Sequence, residues 1–230
     1  MTELEEPRRV RVVCFDLYGT LLDLARLDVA CEALAPGRGG PLAARWRARQ
    51  LEASWLRTAM DRWGDFDVVT REALDVACAE FGLDPDPEAR EMAGRAFVEL
   101  PPRAGAVEAI ADLERVGMPL AVLSNGSSAM IEASVKAAGL DGRFEALLSA
   151  DAARAYKPHP AVYELAVDRF GWAPDQIGFV TANGWDAAGA AAHGFAVAWL
   201  RASGAVLPAV PAPASREASW ATISRQFATS

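Results

Sequence analysis

Asp16 closes a short apolar run, Arg9 to Phe15, and is followed by the glycine turn Leu17-Tyr18-Gly19-Thr20. In a buried parallel strand, that order puts a carboxylate at the strand's carboxyl end, beside a glycine that lets backbone N–H groups turn toward a ligand. Such a carboxylate can act as a nucleophile, ligate a metal or merely close a turn, and position alone leaves all three open. Ser124-Asn125-Gly126-Ser127 joins a second apolar run to a helical pattern. Free N–H groups at a helix start favour an anion, although Ser127 also fits an ordinary cap. Thr181-Ala182-Asn183-Gly184-Trp185-Asp186 follows a third run, with Asp186 placed either to cap a helix or to join a polar group. Lys157 lies in a loop before the helix of Tyr163 and is one of two lysines, the other being Lys136. An ammonium near Asp16 would hold it ionised and offset the crowding of an anionic substrate against it. His159 and His193 find no partner in the sequence and read as structural.

The elements that must position these groups alternate. Strand-like runs at Arg9–Phe15, Pro119–Leu123, Ile177–Val180 and Phe195–Leu200 are separated by helical patterns at Ala106–Arg115, Ser127–Ala138, Ala161–Phe170 and Asp186–His193. This predicts an α/β fold with a doubly wound parallel sheet, in which ligands bind beyond the carboxyl ends of the strands. Residues 22–100 break the alternation and read as all helical. Pro36 to Pro41 is a turn there, a long helix runs to about Trp63, another from near Val68 to Phe81, and a third opens at Asp86-Pro87. The expected organisation is a core of residues 1–21 and 101–230 with a helical cap, 22–100, inserted. On the long cap helix, Arg47, Leu51 and Trp55 share a face, whereas Arg45 and Arg49 point the other way. Pro208 to Ala214 reads as a linker and Ser219 to Ile223 as a last edge strand.

The 230 residues carry 23 Lys and Arg against 31 Asp and Glu, a net charge of −8, which argues against nucleic acid as a partner. No run approaches the roughly 18 apolar residues of a membrane span, and MTELEEPRRV has no apolar signal core, so the expectation is a cytoplasmic protein. Cys14, Cys31 and Cys78 lack paired spacing, which points away from disulfides and zinc.

FDLYGTLLD, LSNGS, YKPHPAVYELA and VTANGWDAAGA resemble, in order and approximate spacing, the motifs of the haloacid dehalogenase superfamily. In detail, including WRARQLEASWLRTAM and Phe66, the chain is similar to the type II L-2-haloacid dehalogenases. The resemblance implies a Rossmann-like core, SN2 attack by Asp16 on C2 of a short 2-haloacid, and hydrolysis of the resulting ester with inversion to a D-2-hydroxyacid. Asp186 is then the base for water, with Asn183 and Thr181 positioning and Thr20 and Lys157 orienting Asp16. Tyr163 would hydrogen-bond within that group. Ser124 and its helix start would hold the substrate carboxylate, and Arg47 with Asn125 the halide or carboxylate. Tyr18, Leu51, Phe66 and Trp185 would wall the alkyl group.

The same resemblance implies a homodimer, no cofactor and no metal. Fluoroacetate marks the edge of the expected substrate range, since fluoride is the poorest leaving group. The superfamily also contains Mg²⁺-dependent phosphatases, the alternative reading. They carry a second aspartate two residues after the nucleophile, where this chain has Tyr18, and a phenol is a poor substitute at neutral pH. A non-catalytic carboxylate-binding protein is a further alternative. The family commonly has two serines where this chain has Thr181-Ala182, so one hydroxyl is missing near Asp186 and Lys157.

Overall fold

The computed structural model describes residues 10–202, 204–210 and 216–228. The N-terminal segment through Arg9 and the part of the expected linker beyond Val210 lie outside the described residues. Strands β1 (Val12–Phe15), β2 (Leu120–Ser124), β3 (Ala146–Ser149), β4 (Ile177–Thr181), β5 (Ala196–Trp199) and β6 (Arg216–Glu217) form one sheet in the order β3-β2-β1-β4-β5-β6. Every neighbouring pair is parallel. The strand order reverses between β1 and β4, the switch point at which doubly wound sheets open a crevice. β1, β2 and β4 are buried along their whole length, as expected for strands covered on both faces by helices.

Helices α1 (Leu27–Leu34), α2 (Gly39–Ala59), α3 (Phe66–Glu80) and α4 (Pro87–Val98) lie between β1 and β2 in the chain and pack on one another. The sheet is covered by α5 (Ala106–Arg115), α6 (Ser128–Ala137), α7 (Pro160–Phe170) and α8 (Gly184–Ala192), with α9 (Ile223–Ala228) at the end. In α5, Ala106, Ala109, Ile110 and Leu113 are the buried residues, one apolar stripe at helical spacing. Asp86 caps α4 by accepting from the Ala89 N–H at 2.8 Å, with Pro87 at the first helical position. The chain leaves the sheet and returns to it along a paired crossing: Asp23 N–H donates to Pro101 O (2.9 Å) and Arg103 N–H to Leu21 O (2.8 Å).

Three expectations are corrected. The long helix begins at Gly39, inside the expected turn, and ends at Ala59 rather than Trp63. Glu32 of α1 takes the Gly39 N–H at 2.9 Å and stands in for a cap, and Pro41 fits because a first helical turn has no backbone acceptor for its N–H. The stop coincides with Asp61 at φ 54°, which a continuing helix cannot contain. The edge strand is Arg216–Glu217, not Ser219–Ile223, which becomes a 3₁₀ turn and the start of α9. Ile223 and Phe227, one helical turn apart, are both buried and form the inward face of α9. β3 was not expected at all: ALLS lacks β-branched residues and lies partly exposed, so it carries no strand signature in sequence. None of the helices is long and apolar enough among the described residues to cross a membrane.

Candidate active site

Asp16 and Thr181 follow one another across the switch point, at the ends of β1 and β4. The Asp16 N–H still joins the ladder, donating to Val180 O at 3.0 Å, and the chain then turns through Gly19 at φ 83°. A side chain at 19 would be strained there and would press its Cβ to 3.0 Å from Leu24. The turn returns Thr20 over the carboxylate. Asp16 Oδ2 accepts from the Thr20 hydroxyl (2.6 Å), the Asn183 Nδ2–H (2.7 Å) and, more distantly, the Thr181 hydroxyl (3.4 Å). Oδ1 accepts from Lys157 Nζ at 3.2 Å. Lys157 is fully buried, lies 4.7 Å from the centroid of the Phe179 ring, and donates also to Asp186 Oδ2 at 2.9 Å. Tyr163 donates its hydroxyl to Asp186 Oδ1 at 2.7 Å.

These seven residues, expected from strand ends and one loop, are thus brought into a single hydrogen-bonded group. Asp186 does not cap its helix: Asn183 holds the cap position of α8, and the Asp186 carboxylate turns inward to Lys157 and Tyr163. Ala182, where a hydroxyl is missing, contributes its backbone instead. Its N–H donates to the Thr20 hydroxyl at 2.9 Å, which aims the Thr20 proton at Asp16. Both oxygens of Asp186 have donors without any help from position 182.

The charges are unevenly balanced. Burial alone would lower the Lys157 pKa, but the Asp16 and Asp186 carboxylates outweigh it and hold the ammonium above its usual value. One ammonium serves two carboxylates, and Asp186, fully buried, stays undercompensated: burial lifts its pKa to about 6 against the opposing pull of Lys157. Tyr163 is kept a neutral phenol, pushed well up by burial and by Asp186. Gly189 on α8 leaves the room Tyr163 uses, since a methyl there would overlap both its hydroxyl and Pro158. Gly189→Ala is expected to displace Tyr163 from Asp186 and to cost about 1–3 kcal/mol of stability by overpacking. A denaturant titration showing an unchanged midpoint would contradict this.

Arg47, Tyr18, Ser124 and Asn125, expected on the substrate side, border this group or the elements that hold it. Arg47 of α2 is close enough to Asp16, Tyr18 and Asp186 for their charges to raise its pKa against a larger lowering by burial. Its face of α2 turns to the sheet end, because Trp55, two turns on, donates Nε1–H to Lys157 O (3.1 Å) and packs on Trp185 at 5.7 Å between ring centroids. Arg45 and Arg49 point away, as expected, and share Glu80. Leu51, one turn from Arg47, is partly buried. Tyr18 stacks on Phe66 (6.3 Å) and packs at a tilt against Phe97 (4.9 Å), and its hydroxyl meets Ser134 Oγ at 3.0 Å. Burial pushes that phenol up to about 12, so it stays neutral. Ser124 Oγ accepts from the Gly126 N–H (3.1 Å), and Asn125 Oδ1 accepts from the Lys157 N–H (2.8 Å). Asn125 therefore uses its carbonyl to fix the loop that carries Lys157 and turns its NH₂ elsewhere. Ser127 is a cap, accepting from Met130 N–H. His159 does find a partner, capping α7 through the Ala161 N–H, and His193 Nε2 lies 3.1 Å from Glu164 Oε2.

Two polar residues escaped the sequence reading. Gln50 is fully buried beside Arg47, and Ser134 faces Tyr18. The Arg47–Gln50 spacing of one helical turn was the available signal for the first. Nothing local marks the second, which meets Tyr18 across 116 residues of chain.

The model of the haloacid dehalogenase-like hydrolase family matches residues 10–194. The (S)-2-haloacid dehalogenase of Pseudomonas sp. (strain YL) is 41% identical over 86% of this chain and 85% of its own. Haloacetate dehalogenase H-2 of Moraxella sp. (strain B) is 40% identical over 86% of this chain and 88% of its own. Among solved structures, the L-2-haloacid dehalogenase from Xanthobacter autotrophicus with chloropropionic acid covalently bound matches at a TM-score of 0.79 and 42% identity, covering 83% of this chain and 77% of that one. With a family match across most of its length and relatives at this identity, the chain belongs to the haloacid dehalogenase-like hydrolases and, within them, to the family of the (S)-2-haloacid dehalogenases, hydrolases that act on carbon–halide bonds.

Proposed function

We propose that this protein converts short L-2-haloacids to D-2-hydroxyacids and halide through an ester on Asp16, without a metal. One observation carries the reading: the two oxygens of Asp16 are treated differently. Oδ2 is crowded by Thr20, Asn183 and Thr181, whereas Oδ1 meets, among the described residues, only the Lys157 ammonium. Oδ1 is the oxygen left to attack. Its lone pair displaces the halide from C2 with inversion, the C–X electrons leaving with the halide, and no proton is needed. Oδ2 then becomes the ester carbonyl oxygen. Water adds to Cγ, and the negative charge that develops on Oδ2 falls among donors already in place at 2.6 and 2.7 Å. Collapse breaks the Cγ–Oδ1 bond, the departing alkoxide takes the proton of the added hydroxyl to become the hydroxyacid, and Asp16 is left as a carboxylate with one oxygen from water. The chloropropionic acid held covalently in the Xanthobacter autotrophicus structure supports such an intermediate.

Asp186 takes the proton of the attacking water. A base with a pKa of about 6 is better matched to neutral pH than an ordinary carboxylate. Both its oxygens are engaged by Lys157 and Tyr163, which supports reading it as a base held in place rather than as a metal ligand. Arg47, Ser124 and Asn125 serve the anionic ends of the substrate, and Tyr18, Leu51, Phe66 and Trp185 the alkyl group. The paired crossing at 21–23 and 101–103 supports domain boundaries after 21 and after 100, with Arg47 on the cap closing over Asp16.

The direct test is halide release from L-2-chloropropionate, expected to survive EDTA; release only with Mg²⁺, or turnover of phosphate esters instead, would point to the phosphatase alternative. The base gives a second expectation. Protonation of Asp186 below about pH 6 removes the proton acceptor, so single-turnover ester hydrolysis should slow about tenfold per pH unit beneath that value while ester formation persists. Asp186→Asn should release one equivalent of halide and stall as the ester, visible as a protein heavier by one propionate unit. Full turnover by that variant would remove Asp186 from the role.

A further inference from the structure

The structure assigns to Gln50, which lies outside the reacting group, the role of a positioning residue that holds Arg47 toward the substrate anion. The inference rests on the dehalogenase reading, in which Arg47 meets an anionic group of the haloacid. Gln50 is fully buried on α2, one turn beyond Arg47, and Arg47 donates Nη1–H to its Oε1. A buried amide could present either end to a neighbour, but here the choice is forced from behind. The Thr70 hydroxyl has one proton and gives it to Phe66 O at 2.6 Å, because a carbonyl can only accept. Thr70 can therefore only accept from Gln50, whose Nε2–H reaches it at 2.5 Å. With the NH₂ committed to Thr70, the carbonyl of Gln50 must face Arg47. Trp46, which donates Nε1–H to Thr70 O at 2.8 Å, locks α3 to α2 at the same place, so the relay has a rigid base.

The neutrality of Gln50 is part of the device. A guanidinium partly buried near Asp16, Tyr18 and Asp186 needs an acceptor to hold its geometry. A carboxylate there would satisfy it but would cancel the charge that draws an anion. An amide carbonyl fixes the guanidinium through one N–H and leaves its charge and remaining donors to the substrate.

The test compares Gln50→Met, which keeps the volume and removes the tether, Gln50→Glu, which keeps an acceptor and cancels the charge, and Thr70→Val, which frees the amide to flip. In each, kcat/KM for L-2-chloropropionate is expected to fall about 10- to 100-fold, with a parallel rise in the inhibition constant for bromide. In Gln50→Met and Thr70→Val, the Arg47 side-chain ¹⁵N resonance, identified by its loss in Arg47→Lys, should shift and average. A residue that only fills space would leave bromide inhibition and that resonance at their wild-type values in Gln50→Met and Thr70→Val, and this result would overturn the assignment. If Gln50→Met does not fold, Thr70→Val, conservative in shape and remote from Arg47, decides by the same readouts. If the wild-type enzyme releases no halide, the dehalogenase reading fails while the Arg47 resonance in the variants still judges the tether.

Discussion

Asp16→Asn is expected to abolish halide release, with a loss on the order of 10⁵-fold or more, the scale on which enzymes lose turnover when the nucleophile of a covalent cycle is removed. The substitution is nearly isosteric. Its carbonyl can take the place of Oδ2 beneath Thr20 and Asn183, so the donors that would stabilise the ester survive. What disappears is the anionic oxygen beside Lys157, since an amide NH₂ has no lone pair to give to C2. Lys157 keeps Asp186 as its counter-ion, so the fold is expected to stand. Asp16→Ala should be equally inactive, which separates loss of the nucleophile from any misplacement of the amide. The decisive measurement is isotopic. Wild-type enzyme taken through turnover in ¹⁸O-water should carry the label in the Asp16 carboxylate, since in the proposed cycle water adds to Cγ of that residue and one oxygen of Asp16 leaves with the product. Label found only in the hydroxyacid after a single turnover would mean that water attacks C2 directly and that Asp16 is not alkylated.

Lys157→Met carries the second large effect, and it falls on stability as well as on rate. The ammonium is fully buried and is shared by two carboxylates at 3.2 and 2.9 Å. Truncating one member of a buried ionic group leaves its partners uncompensated, at a cost of about 3–5 kcal/mol. The protein can escape part of that cost by binding a proton on Asp186, but on the proposed mechanism that proton occupies the base and stops ester hydrolysis. Turnover at neutral pH should therefore drop on the order of 10³-fold or more, the scale of losing an electrostatic stabiliser.

The pH dependence of stability has a definite sign. Without Lys157, the Asp186 carboxyl, already lifted by burial, loses the charge that opposed the lift, so its folded-state pKa stands further above its unfolded value and the unfolded state loses that proton at a pH where the folded state still holds it. The stability deficit relative to wild type should then grow as pH rises through the raised pKa and shrink as pH falls below it. Denaturant titrations of both proteins across pH 5 to 8 measure this, and a deficit independent of pH would show that the cost lies in packing over Phe179 rather than in charge. Lys157→Arg is not expected to rescue turnover, because the planar guanidinium cannot occupy the compact ammonium's place between the two carboxylates.

The sequence marked the right edge of the sheet because strand ends are local features. Apolar runs that stop at Asp16, Ser124 and Thr181 must all stop at the carboxyl edge if the strands are parallel, and the all-parallel sheet follows from the helices between them. Helical spacing likewise carried the Arg47, Leu51 and Trp55 face, and the Asp86-Pro87 start of α4, without any tertiary information. The errors came where a local pattern had no single reading. The Pro36–Pro41 segment has turn composition but becomes a helix start once Glu32 supplies an acceptor, and ALLS acquires strand geometry only by pairing with β2.

By itself, then, the sequence determined which residue types stand at the crevice and on which helical face the arginine lies, because both depend on neighbours within a few residues. Only the tertiary structure decided how those residues divide the work. Asn183 reaches Asp16 across 167 residues of chain and Lys157 across 141, and such contacts, set by the packing of separate elements, distinguish the two oxygens of one carboxylate. The inward turn of Asp186 and the direction of the Gln50 amide are of the same kind. Each is forced by a donor or acceptor brought up from another element, where a buried polar atom must find a partner and accepts the one that packing provides.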